Sequence, residues 1–311
     1  MGQNVAGRTS DPAPLFRARG FGLNWQADIA LGQFDPIPAP PGAPDILVAR
    51  VSQLADRAAP RPFKRGTIYP DGFRIGWGDE AMFNMFAGAR IEYCPQAKWR
   101  GELPAPFFST VTALTLGWRG LLPLHATALE VSGKVVLIAG APGAGKSTLA
   151  AELLQAGARL VSDDLSVLSR PGVGALPIVY RGRRSMRLHP QTAAGVDAQR
   201  CEAVPEDPRG KLLVWPRSRT TLDAASLCGL ILLGDRTGPV SGVELVPILP
   251  KLLFRPAWME SIPVYASNRA QLLELARTLP AHRLQRVNGF SEAEKSQRID
   301  AALTVITAMT G

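Results

Sequence analysis

The sequence predicts an α/β fold: a small strand-rich N-terminal domain followed by a larger domain built around a phosphate-binding loop. Short apolar runs alternating with turn signals fill residues 45–95. An apolar run, 134–140, leads into a glycine-rich loop and then into an amphipathic helical run. Further on, the chain mixes buried-strand and helix patterns, as a sheet covered by helices does.

Taken in order, residues 1–15 read as a polar, flexible tail without an apolar signal core. Phe34 to Asp45, FDPIPAPPGAPD, is a proline-rich loop. ILVARV (46–51), GTIYP (66–70), DGFRIGW (71–77) and RIEYC (90–94) read as strands, with Asp71-Gly72 as a tight hairpin turn. Residues 104–118 suit a helix started by Pro106 and stopped by Gly120. This helix links an N-terminal α+β domain, 1–120, to a second domain, 121–311. In the second domain 124–131 and 134–140 read as strands joined by Ser132-Gly133. KSTLAAELLQAG reads as a helix with Leu149, Leu153 and Leu154 on one face and Gly157 as its stop. Residues 158–168 read as the next strand, 227–234 as a buried strand, and 269–279 and 292–309 as helices. No internal repeat is visible.

The 311 residues, 46% hydrophobic, can bury a real core. A net charge of +9 suits a partner rich in phosphate or carboxylate without choosing among a nucleotide, an acidic peptide and a nucleic acid. Cys94, Cys201 and Cys228 form no CxxC pair, which argues against a zinc site or disulfide framework and for reduced thiols. No apolar run approaches the roughly 18 residues of a membrane helix. The six tryptophans are dispersed and not interleaved with basic residues, unlike a nucleic-acid stacking platform. The expectation is a soluble, cytoplasmic protein that engages neither membrane nor nucleic acid.

Gly140-Ala141-Pro142-Gly143-Ala144-Gly145-Lys146-Ser147 matches G-x-x-x-x-G-K-[ST], the Walker A pattern. Glycines let the backbone curl so that successive N–H groups face phosphate oxygens. The following helix directs its positive end at the same place. Lys146 is placed to reach the β- and γ-phosphates, the Ser147 hydroxyl to bind Mg²⁺, and Thr148 to complete the cradle. This spacing points to a nucleoside triphosphate and Mg²⁺. Directly after the loop helix come Asp163 and Asp164. Adjacent residues at a strand end face opposite ways, so the pair can serve two roles, one toward phosphate and one toward metal or backbone.

Together these residues resemble HPr kinase/phosphorylase. That family carries a His before the strand entering the loop, then G-x-x-x-x-G-K-S, a helix and a Leu-Val-Ala-Asp-Asp segment. Here the same order is His125, Gly140 to Ser147, and Leu160-Val161-Ser162-Asp163-Asp164. The resemblance is specific over about Leu121 to Leu168. It implies a P-loop kinase core of the HPr kinase / phosphoenolpyruvate carboxykinase type. It also implies that Asp163 is the base taking the proton of an acceptor serine, that Asp164 assists metal, and that His125 supports the acids. The family's Glu-Val-Arg-Gly segment, linked to phosphorylase activity, finds only Val179-Tyr180-Arg181-Gly182, without the acid. Arg119 to Ala126, RGLLPLHA, is similar to the stand-alone relatives, which include kinases of lasso-peptide precursors.

The implied activity is transfer of the ATP γ-phosphate to a hydroxyl, a serine, of a small protein or peptide such as a lasso-peptide precursor or an HPr-like acceptor, by a chain that can form a homo-oligomer. Two alternatives stand: a nucleotide-binding regulatory module without transfer, and a small-molecule kinase on the same fold. His125 can be functional, bonded to Asp163 or a phosphate, or a satisfied core histidine. Arg181, Arg183, Arg184 and Arg187 can bind phosphate or an acidic peptide, or line a solvated loop. Arg209, Lys211 and Arg255 are lesser candidates for nucleotide contact, and His189 and His282 read as structural.

Overall fold

A computed structural model describes residues 15–38, 42–169, 176–204, 207–287, 289 and 291–310. The expected tail, apart from Leu15, and the middle of the proline-rich loop lie outside the described residues. Among the described residues the fold is mixed α/β with three sheets.

The first sheet contains β1 (Phe16–Gly20), β2 (Leu23–Ala27), β3 (Asp35–Pro36), β4 (Ile46–Arg50), β5 (Arg61–Phe63), β6 (Gly66–Tyr69), β7 (Gly72–Trp77), β8 (Ala81–Phe86) and β9 (Arg90–Pro95). Their spatial order is β3-β1-β2-β4-β9-β8-β7-β6-β5. β4 runs parallel to both β2 and β9, and the remaining pairs are antiparallel. The strand runs expected here are present, but the β6–β7 turn is Pro70-Asp71, because Tyr69 already pairs with Gly72. Gly72 is needed inside the strand: a Cβ there would collide with the Met85 carbonyl oxygen.

The linking helix begins as a π-helical turn, Phe107–Val111, and continues as α1 (Thr112–Trp118). The hydroxyl of Thr112 donates to the Phe107 carbonyl at 2.7 Å, a contact that fits the widened turn. Its faces are buried nearly all round, as Ala113, Leu114 and Leu116 show no exposure.

Beyond α1 come β10 (Leu122–Leu124), β11 (Thr127–Val131), β12 (Lys134–Gly140), α2 (Lys146–Gln155), β13 (Arg159–Ser162), β14 (Ser166–Leu168), β15 (Ile178–Tyr180), β16 (Met186–Leu188), α3 (Pro190–Ala193), β17 (Ala198–Ala203), β18 (Leu212–Pro216) and β19 (Ala224–Gly234). The chain closes with β20 (Gly238–Pro239), α4 (Gly242–Leu245), α5 (Leu249–Leu252), α6 (Pro256–Met259), α7 (Tyr265–Thr278), β21 (Ala281–Gln285) and α8 (Glu292–Thr310). The second sheet has the order β10-β14-β15-β19-β12-β11-β13, with β21 beside β19, and β16-β18-β17 form a third.

Two expected strands are each broken. The run 124–131 divides at His125-Ala126, and 158–168 divides at Asp163 to Leu165, where Asp164 adopts φ +67. The breaks lie side by side, since β13 pairs with β11 while β14 pairs with β10. Ser166 ties them, its hydroxyl donating to the Ala126 carbonyl at 3.0 Å. Both breaks therefore bring backbone and polar side chains together next to the glycine-rich loop.

One hydrophobic cluster runs through both large sheets and α1, including Trp25, Phe83, Phe107, Leu137 and Leu230. A second joins α2 and α8 to one face of the second sheet and to the third sheet, through Leu149, Leu153, Ile231, Val305 and Met186. Each such side chain, fully buried, stabilises the fold by about 1.5–3 kcal/mol. Among the described residues no helix is long and apolar enough to cross a membrane.

Candidate functional site

β12 ends at Gly140, and α2 starts at Lys146 on the far side of the glycine-rich turn. Gly143 and Gly145 sit at φ +80 and +92, a backbone that side chains rarely adopt, so the curl depends on them. Lys146 folds back along the loop and donates from Nζ to the carbonyls of Gly140 (3.1 Å) and Ala141 (3.4 Å). Burial lowers its pKa, and the nearby Asp164 and Asp163 oppose that shift. Ala141, Pro142 and Gly143 are exposed, leaving the mouth of the loop open.

Asp163 is fully buried. Its Oδ1 accepts from the Thr127 hydroxyl at 2.7 Å and the Ser147 hydroxyl at 3.2 Å, and its Oδ2 accepts from the Arg187 N–H at 3.1 Å. Asp164 faces the other way, with 27% of its side chain exposed. Its Oδ1 lies 3.2 Å from His125 Nδ1, which also lies 3.1 Å from the Asp164 carbonyl oxygen. Facing two acceptors, Nδ1 carries the proton. His125 is fixed from behind by its N–H, which donates to the Leu252 carbonyl at 2.7 Å, and by the Phe254 ring, 5.8 Å away centre to centre.

Arg183, the largest buried cation, donates to the Asp163 carbonyl at 2.8 Å and lies 3.5 Å from Asp164 Oδ2. Burial pushes the Asp164 carboxyl up. The His125 hydrogen bond and the charges of Arg183 and Arg187 outweigh it, holding the carboxyl well below the usual carboxylate range.

The structure thus joins Lys146, Ser147, Asp163, Asp164 and His125, and it pairs the acids differently from the expectation. Asp163 sides with the Ser147 hydroxyl, and Asp164 sides with His125. The basic cluster splits. Arg183 and Arg187 turn to the acids, with Arg187 also held by Asp207 at 2.6 Å. Arg181 and Arg184 turn away to Asp35. Lys211 is close enough to lower the Lys146 pKa. The Arg209 N–H donates to Asp207 at 2.8 Å. Arg255 reaches Thr110 at 3.3 Å rather than the acids. His189 stands just ahead of α3 and His282 lies in β21.

Thr127 and Asp207 belong to the site but were not singled out in the sequence. The only signal for Thr127 was its position two residues beyond His125. Asp207 had none, because its partner Arg187 is distant in sequence.

Among the described residues no group of three or more His, Cys, Asp and Glu side chains could hold a metal. The Ser147 hydroxyl beside the Asp163 carboxylate is instead a pair of hard oxygens. Such a pair fits Mg²⁺, which takes one or two protein ligands and completes its shell with phosphate oxygens and water.

Residues 121–176 match the family model of the HPr Serine kinase C-terminal domain. Over this segment the chain is HPr-kinase-like. The matched span holds His125, the 140–147 loop and both acids. No curated protein matches the chain. Among solved structures, the Hpr(Ser) kinase/phosphatase from Coxiella burnetii is similar at 14% identity and a TM-score of 0.32, over 61% of this chain and 99% of that one. Arg183 and Arg187 lie beyond the HPr-kinase-like segment yet act on Asp164, and Lys211, also beyond it, acts on Lys146, so the cluster draws on more of the chain than the matched part.

Proposed function

We propose that this chain is an ATP- and Mg²⁺-dependent kinase that phosphorylates a hydroxyl, a serine of a peptide or small protein. One observation carries the reading: beside a glycine-rich G-x-x-x-x-G-K-S loop, two adjacent carboxylates face separate partners. Asp163, buried against Ser147, suits metal. Asp164, partly exposed beside His125, suits the incoming hydroxyl. The match to the HPr serine kinase C-terminal domain supports the reaction class, and the serine and peptide character of the acceptor extends that resemblance.

The loop N–H groups, the start of α2 and Lys146 hold the triphosphate. Ser147 and Asp163 would hold Mg²⁺, which would supply neutralisation of charge on the phosphates. The acceptor oxygen attacks the γ-phosphorus, the bond to the β,γ-bridging oxygen breaks, ADP leaves, and the hydroxyl proton passes to Asp164. His125 and Arg183 keep Asp164 ionised and aimed. So acidic a group is a weak base, so its main contribution is to orient the hydroxyl, which suits a loose transition state.

The test compares two variants using labelled ATP, Mg²⁺ and serine-containing peptides. Asp164→Asn is expected to lose transfer by about 100-fold or more while keeping ATP affinity. Asp163→Asn is expected to lose Mg²⁺-dependent ATP affinity as well. Full transfer by Asp164→Asn would remove it from the acceptor role, and no labelled product from the wild type with any peptide would sink the kinase reading.

A further inference from the structure

Beside the phosphate loop lies a cavity of about 330 Å³ between α2, α3 and the start of α8. Its lining begins at Thr148, the residue after Ser147, and continues along α2 to Gln155. Gln191 of α3 and Glu292 and Lys295 of α8 form the opposite wall. We propose that this cavity takes the nucleoside end of the triphosphate; the proposal rests on reading the 140–147 loop as the phosphate site.

Topology supports this independently of the loop. β12, β19 and β21 are parallel neighbours, with Gly140 beside Leu233 and Gly234 beside Gln285. Ligands of such sheets sit beyond the carboxyl ends of the strands. There the phosphate loop leaves β12, and the segment leading into α8 leaves β21. α2 and α8 pack together on one sheet face, and the cavity beside them runs from Thr148, near that edge, down α2 to its last residue, Gln155.

The dimensions and chemistry agree. Thr148 to Gln155 spans about 10 Å of helix, the length of a nucleoside running on from an α-phosphate at Thr148. A volume of about 330 Å³ lies within the range of small-ligand pockets. The Gln155 and Gln191 amides each offer donors and an acceptor, as do the edge of a base and the ribose hydroxyls.

The floor is rigid. Arg298 donates from Nε to Glu152 Oε2 at 2.9 Å and from Nη2 to Oε1 at 2.5 Å, and its Nη1 donates to the Val287 and Gly289 carbonyls at 3.3 and 2.9 Å. This fastens the segment after β21 to α2. Ser291 and Glu294 cap α8 with each other, so its N-terminus does not compete for phosphate.

The experiment measures binding of ATP and of inorganic tripolyphosphate, each with Mg²⁺, to the full chain by calorimetry. The wild type should bind ATP more tightly than tripolyphosphate. Gln155→Ala/Gln191→Ala, both at exposed positions, should weaken ATP about tenfold and leave tripolyphosphate unchanged. Lys146→Ala should weaken both. ATP binding unchanged in the double variant, or both ligands falling together in it, overturns the nucleoside pocket. Lys146→Ala leaving both ligands unaffected overturns the loop reading and, with it, the pocket that rests on it.

Discussion

Asp164 holds a left-handed backbone, φ +67, and faces His125 and Arg183. Asn also adopts that backbone, so Asp164→Asn removes charge without straining the chain. The Asp164 carboxyl is lowered on folding. Its contribution to stability is therefore complete above the unfolded carboxylate pKa, about 4, and is lost as pH falls through the lowered folded value. The gap in melting temperature between wild type and Asp164→Asn should stay level from pH 7 to 5 and shrink below about pH 4. A gap that widens in acid would show that the carboxyl is not held ionised. Arg183 tests the other side of the contact. It is 2% exposed and bonds both the Asp163 carbonyl and the Asp164 carboxylate. Arg183→Met should cost about 3 kcal/mol in urea unfolding, because it strands both acceptors.

At the scale of elements, α2 and α8 meet through a buried ion pair as well as apolar packing. Glu152 and Arg298 are 8% and 11% exposed at their side chains. Glu152→Ala should cost about 3 kcal/mol by leaving Arg298 without its carboxylate, read as a lower urea midpoint with unchanged slope. Elements with strong local patterns were legible in the sequence. The glycine-rich loop between β12 and α2 is one of them, because its glycines and the apolar runs on either side are contiguous. The breaks at His125-Ala126 and Asp163 to Leu165 were not legible. Apolar residues flank both, and the interruption arises from pairing between segments far apart in the chain. The third sheet escaped for another reason: β17, AQRCEA, is largely exposed and shows no alternation. The pairing of Asp163 with Ser147 and of Asp164 with His125 depends on those breaks, so these contacts were not legible in the sequence.

For the whole molecule, the sequence expectation of domains 1–120 and 121–311 meets a core that runs across that boundary. The cluster containing Trp25 and Phe83 also contains Leu137 and Leu230. Trp258 packs on Phe63 and Phe73 of the first sheet at 4.8 and 6.3 Å between ring centres. Polar ties reinforce this. Asp35 of β3 receives Arg219 at 2.7 and 3.1 Å, Arg181 at 3.3 Å and Arg184 at 3.6 Å. The Phe21 N–H donates to the Arg181 carbonyl at 2.8 Å, and the Arg184 N–H to the Gln33 carbonyl at 2.8 Å. Arg181 and Arg184 are separated from the acid-facing Arg183 by one residue or fewer, so the first sheet braces the segment that aims Arg183 at Asp164. Shared apolar surface of this kind couples unfolding of the parts it joins. Calorimetry of the full chain should therefore show one transition rather than two. Asp35→Ala leaves three arginines facing one another and should cost about 2–3 kcal/mol, moving that single transition down as a whole. It should also reduce transfer, through the shifted Arg183, more than it reduces ATP affinity. Two resolved transitions in the wild type, or a variant in which only an early transition moves, would mean that the first sheet folds apart from the site it touches.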